Sequence, residues 1–306
     1  MVLAAAIQLE AVIGDVAANL DRCSTLADKA GQSGARIIAL PEFFTSGIAF
    51  DPSLKKATLP FSGEATELLC SLARRYDALV GGSFLCRDGD GHVRNAYVAA
   101  DATGVVGRHD KDLPTMWENS FYVGGRDDGV FRAGAYDVGA AVCWELMRTR
   151  TAQRMRSRVD LVMTGSGWWS VPPWHPRSTF EGMERRNHET ARAAAGTFAK
   201  YVGAPVVHAA HVGDLRCAMP WIPLEYRGHF EGSALITDGA GHVIAERRPE
   251  QGQGILLGEI DLGRQAPTAE IPDRFWLHPR GALPTAAWHY QRWHGRRWYR
   301  RNMVSA

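Results

Sequence analysis

No run of about 18 apolar residues occurs anywhere in the chain, which excludes a membrane-spanning helix on length. Charge of one sign is missing as well. The 35 basic and 33 acidic residues leave a formal +2, too little to draw the chain to nucleic acid or an anionic membrane. Cysteine is sparse and odd in number, with five residues at positions 23, 70, 86, 143 and 217. That is no disulfide framework, and it suits a reducing, cytoplasmic setting. There is no internal repeat and no low-complexity linker. No glycine-rich phosphate loop follows a strand, so no nucleotide cofactor is expected. No metal is expected either: RRNHE lacks the paired histidines of a zinc helix, and His208 and His211 are spaced to face opposite sides of a strand. The opening residues lack a basic segment and are broken by Gln8 and Glu10, so they read as a first strand rather than a targeting signal.

What is present is an ordinary globular composition, 45% hydrophobic and 22% charged, over 306 residues. That length is large for one average domain but fits a layered two-sheet unit. Helical spacing predicts one helix from an Asp15 cap to about Gly31, another capped by Ser62, and a long one ended by Gly203. In that last helix, Arg185, Arg186, His188 and Glu189 read as a polar face. Residues 78–109 read as three strands joined by DGDG and DATG turns. Antiparallel hairpins set among helices argue for an α+β chain with mixed sheets over a purely parallel fold. Residues 1–265 form the expected domain. Residues 266–306, rich in Pro, Trp and Arg, show no clear periodicity and form a C-terminal extension. Its run WHYQRWHGRRWYRR is read as a packing arm, not a nucleic-acid patch.

Three apolar runs end in polar tips: IIALPEFF in Glu42, VVGRHDK in Lys111 and GAAVCWE in Cys143. Singly, each is bland. A glutamate or lysine after a strand is ordinarily solvated, and a buried cysteine is ordinarily core. Together they offer a thiol, a carboxylate to take its proton and a cation to balance the charge its attack creates. The loop after Lys111, DLPTMWENSFYVGG, is too aromatic for a purely solvated segment and adds a second carboxylate, Glu118. Cysteine–histidine protease chemistry finds no matching segment.

In this order, 69 and 32 residues apart, Glu42 in LPEFF, Lys111 in KDLPT and Cys143 in GAAVCWE resemble the nitrilase superfamily of carbon–nitrogen hydrolases. PTMWE resembles the nitrilase branch, whereas Asn119 and Leu146 depart from it at positions that border the pocket in that family. The resemblance implies a four-layer αββα sandwich of two mixed sheets. It implies Glu42 as general base, Cys143 as nucleophile, Lys111 with the Trp144 backbone N–H as stabilisers of developing charge, and Glu118 as their partner. Trp117, Trp168 and Trp169 become candidate pocket walls. The implied substrate is a small amide, ahead of a nitrile, in a homodimer or larger homo-oligomer whose tail packs on the domain or on a neighbour. Transfer of the acyl group to an amine, or a catalytically silent binding protein of the same fold, stand as alternatives. Lys111→Ala and Glu42→Gln are expected to abolish turnover with the fold intact.

Overall fold

The computed structural model describes residues 1–219, 224–278 and 281–304. In chain order the elements are β1 (Val2–Leu9), α1 (Val16–Gln32), β2 (Ile37–Ala39), β3 (Leu59–Pro60), α2 (Glu64–Tyr76), β4 (Leu79–Arg87), β5 (Val93–Asp101) and β6 (Gly104–Asp110). They continue as β7 (Val130–Ala133), β8 (Tyr136–Val142), α3 (Thr149–Met155), β9 (Leu161–Ser166), α4 (Arg177–Val202) and β10 (Val206–Ala218). The last are β11 (Glu225–Glu231), β12 (Ala234–Thr237), β13 (Val243–Arg247), β14 (Gly254–Ile260) and α5 (Ala282–Asn302).

Strand β1 shows how period-2 alternation builds the layers. Ala5, Ile7 and Leu9 pack with Leu26 and Ala30 of α1 and Leu69 and Leu72 of α2. Ala4 and Ala6 point the other way, into a core shared with Ala140 of β8, Met163 of β9 and Ala209 of β10. One mixed sheet, β6-β5-β4-β2-β1, therefore faces another, β7-β8-β9-β10-β12-β13, with α1 and α2 outside the first and α3 and α4 outside the second. The architecture is the expected four-layer αββα sandwich. The two sheets are joined at one edge, where Gln8 and Leu9 of β1 pair with Ala210 and His211 of β10.

Local chemistry sets most boundaries. Asp15 accepts the Ala18 N–H at the N-cap of α1, and Gly203, at φ 78°, ends α4 in the left-handed conformation. The expected Ser62 cap is a correction: Gly63 occupies the N-cap of α2 and contributes no side chain, so acidic residues Glu64 and Glu67 in its first turn face the helix dipole instead. The C-terminal tail, in which the sequence shows no clear periodicity, holds the 21-residue helix α5. Its apolar spacing is obscured because aromatics stand on both faces: Trp293 and Tyr290 are exposed, whereas Tyr299 is buried. The helix lies on the turn at 116–120. A Cβ at Gly295 would come within 2.6 Å of Asn119 Cβ, so glycine permits the approach.

Candidate active site

Each of the three polar tips lies just beyond a strand, and each segment carries a non-glycine residue at positive φ: Phe43 at 51°, Met116 at 47° and Cys143 at 54°. Such backbone costs on the order of 1–3 kcal/mol per residue and persists only where the surroundings enforce it. At Cys143 the enforcing group is Glu145. Its buried carboxylate accepts the Val142 N–H at 2.8 Å and the Asp112 N–H at 3.0 Å, tying the cysteine turn (143–147) to the residue after Lys111. His109 Nε2 lies 2.8 Å from the same carboxylate, and its Nδ1 meets Asp127. Burial opposes charge on His109, but Glu145 and Asp127 outweigh it and raise the imidazole to about 10. Burial likewise opposes charge on Glu145, and His109 and Arg148 hold its carboxyl well below the usual range.

The centre is an ion cluster with no solvent exposure. Lys111 Nζ donates to Glu42 Oε1 and to Glu118 Oε2, both at 2.8 Å. Glu42 is clamped further: Asn95 Nδ2 donates to Oε1 at 2.8 Å, the Gly167 N–H donates to Oε2 at 2.9 Å, and the Glu42 carbonyl meets His211 Nε2 at 2.6 Å. The backbone at Glu42 passes so close to β9 that a Cβ at Gly165 would lie 2.5 Å from the Glu42 nitrogen. Glu118 Oε2 also accepts the Thr115 N–H at 2.9 Å and the Tyr122 hydroxyl, while Glu118 Oε1 is buried without a hydrogen-bond partner among the described residues.

Two carboxylates share one ammonium here. Burial raises Glu118, Lys111 lowers it and Glu42 raises it again, leaving it at about 7. Burial disfavours the Lys111 cation, but Glu118 and Glu42 hold its pKa above the ordinary lysine value. The Cys143 thiol is pushed well up, first by burial and then by the Glu42 charge, with Lys111 opposing. At rest it is therefore a neutral thiol. Its proton leaves when a base takes it, in step with attack on an electrophile.

Of the candidate residues, Glu42, Lys111, Glu118 and Cys143 converge. The four tryptophans form two pairs. Trp117 stacks on Trp169 at 4.3 Å beside Glu118, and Trp144 meets Trp168 at 5.8 Å beside Cys143. Asn119 turns its amide back onto the Pro114 and Met116 carbonyls and packs against α5, and Leu146 is buried in a hydrophobic core. His208 and His211 are both buried with separate partners, Ser166 and the Glu42 carbonyl. Sequence reasoning missed Asn95, Tyr122, His109, Glu145 and His211. The available signal was proximity along the chain: His109 stands two residues before Lys111 and Glu145 two residues after Cys143.

A family model for carbon–nitrogen hydrolases matches residues 3–270. An aliphatic nitrilase of Rhodococcus rhodochrous is 27% identical over 280 residues, covering 84% of this chain and 74% of that protein. Omega-amidase YafV of Yersinia enterocolitica is 25% identical over 240 residues, covering 78% and 81%. Among solved structures, a carbon–nitrogen hydrolase from Helicobacter pylori G27 superposes with a TM-score of 0.69 at 18% identity, covering 85% of this chain and 89% of that one. A glutamate-to-glutamine mutant of the amidase from Nesterenkonia sp. AN1, with acrylamide added at its active-site cysteine, superposes with a TM-score of 0.64 at 19% identity, covering 85% and 94%.

Proposed function

The chain belongs to the carbon–nitrogen hydrolase family, whose members act on carbon–nitrogen bonds other than peptide bonds, and from that premise we propose that it hydrolyses small amides, ahead of nitriles, through a covalent intermediate on Cys143. The observation that carries this reading is the fully buried Glu42–Lys111–Glu118 cluster facing the thiol.

Glu42 takes the thiol proton as Cys143 Sγ bonds to the amide carbon and the carbonyl π pair moves onto oxygen. The Lys111 ammonium and the Trp144 backbone N–H balance that oxygen's charge. When the tetrahedral adduct collapses, the C–N bond breaks and the amine leaves with the proton held by Glu42. The thioester is then cleaved by water, from which Glu42 again removes a proton, releasing acid and restoring the thiol. A nitrile would first give a thioimidate, its nitrogen taking the thiol proton from Glu42; one water would add and ammonia leave to form the same thioester, which a second water cleaves. Glu118 holds Lys111 in place, and its Oε1, without a hydrogen-bond partner among the described residues, would meet the substrate nitrogen. Trp117 and Trp168 would wall the acyl side.

The test is product analysis on a panel of short aliphatic amides, ω-amides and nitriles, with intact-mass detection of an acyl adduct on Cys143. Ammonia and acid from an amide, absent with Cys143→Ala, is the expected result. Turnover retained in Cys143→Ala would overturn the nucleophile, and turnover of nitriles with every amide inert would overturn the substrate order.

A further inference from the structure

Away from the ion cluster, the described residues hold a mixed-donor group that the proposed reaction does not use. Glu184 projects from α4, and His229 and Glu231 project from one face of β11. One ligand atom from each, a carboxylate oxygen or a ring nitrogen, lies within 4.8 Å of the other two. His229 Nε2 is 3.5 Å from Glu184 Oε1 and 4.0 Å from Glu231 Oε2. Donors bonded at about 2.0–2.1 Å around a tetrahedral Zn2+ stand roughly 3.3 Å apart, so the His229–Glu184 side is near that span and the other two would contract on closing around an ion.

The two carboxylates are already oriented. The Val171 N–H holds Glu184 Oε2, and Asn187 Nδ2 holds Glu231 Oε1. His188 Nδ1 lies 2.9 Å from Glu231 Oε2 and orients that carboxylate as well. Outer partners of this kind fix ligand geometry and typically matter about 10- to 100-fold in metal affinity. Glu231 itself is buried. Glu184, His188 and His229 also line a surface pocket of about 510 Å³ with Val171, Pro172 and Phe180, which gives an ion access and room for exchangeable ligands.

We propose that Glu184, His229 and Glu231 bind one divalent transition-metal ion of Zn2+ type at this pocket, with coordination positions open towards it. Imidazole and carboxylate donors together suit such an ion better than Mg2+ or Ca2+. The sequence gives no sign of the site because a histidine pair on one element is the pattern that reads as metal-binding, whereas these donors come from a helix and a strand far apart along the chain. The site also touches the tryptophan segment. The Glu231 N–H donates to the Trp168 carbonyl, the Ser170 N–H donates to the His229 carbonyl, and Asn187 joins Trp168 Nε1 to Glu231. A bound ion would thus hold the segment whose Trp169 stacks on Trp117.

The experiment uses the full chain after chelator treatment. Co2+ binding is followed by its visible absorption and Zn2+ binding by calorimetry, in wild type, Glu184→Gln, His229→Ala and a surface control, His242→Ala. One equivalent bound in wild type and in the control, weakened at least tenfold in both site variants, with no thiolate-to-cobalt charge-transfer band, is the expected result. Absence of stoichiometric binding, unchanged affinity in His229→Ala and Glu184→Gln, or a thiolate band showing the ion on cysteine would each overturn the proposal. His229 is about half exposed, so its truncation tests the ligand without threatening the fold.

Discussion

Replacing Lys111 by methionine tests the charge account of the site most directly. The side chain keeps its length and loses its ammonium, leaving Glu42 and Glu118 buried and facing each other across the vacated position. Removing one partner of a buried ion pair costs on the order of 3–5 kcal/mol, because the remaining charge is uncompensated. Two carboxylates share this ammonium, so the upper part of that range is expected. Loss of a charge-stabilising donor should also cut turnover at least about 100-fold. The variant is expected to lose stability as well as rate, because Lys111 has no solvent exposure. Urea denaturation followed by fluorescence of the ten tryptophans reads the stability, and ammonia release reads the rate. The decisive sample is Lys111→Met with Glu118→Gln. Removing the second carboxylate should recover roughly 1–3 kcal/mol of the loss while activity stays absent, a coupling typical of residues in one network. If Lys111→Met loses less than about 1 kcal/mol, or if adding Glu118→Gln deepens the loss, the cluster is not balanced by Lys111 and the reasoning fails.

Two further outcomes follow from the elements that shape the site. Cys143 sits at φ 54°, where a side chain costs about 1 kcal/mol or more that glycine does not bear, so Cys143→Gly should denature at higher urea than Cys143→Ala, both being inactive; equal or reversed midpoints would show that the turn is not strained. His109 is raised from 6.5 to about 10, so its contacts with Glu145 and Asp127 stabilise fully below pH 6.5 and are lost as pH rises towards 10. Wild type should lose several kcal/mol over that window, at up to about 1.36 kcal/mol for each step of one in pH, and the His109→Gln variant should start less stable and lose correspondingly less. Parallel pH–stability curves for the two proteins would refute the buried imidazolium.

The strand ends carrying Glu42 and Cys143 were legible because each follows a continuous apolar run, and Lys111 because it closes the third strand of a hairpin series. Helix α1 was legible for a similar reason, since Asp15 and the apolar stripe behind it agree. Helix α5 was not, because its aromatics divide between a face that docks on 116–120 and one left in solvent, and only docking tells the two apart. The roles of Asn119 and Leu146 were also invisible, since whether a side chain borders a pocket or fills a core depends on what folds over it.

By itself, then, the sequence determined the chemical types at the three strand ends, their order, and a mixed α+β chain, which follow from periodicity and from residues adjacent along the chain; the layering came from the resemblance to carbon–nitrogen hydrolases. The tertiary structure alone decided the charge states. Glu118 at about 7, a neutral resting thiol and a protonated His109 arise from burial and from charged partners that lie on other elements, such as Glu42 beside Cys143 and Glu145 beside His109. It also decided that Glu184 meets His229 and Glu231, because helix and strand become neighbours only when the sheet and its covering layer have formed. Desolvation and Coulomb energy depend on distance in space, which the order of residues does not contain.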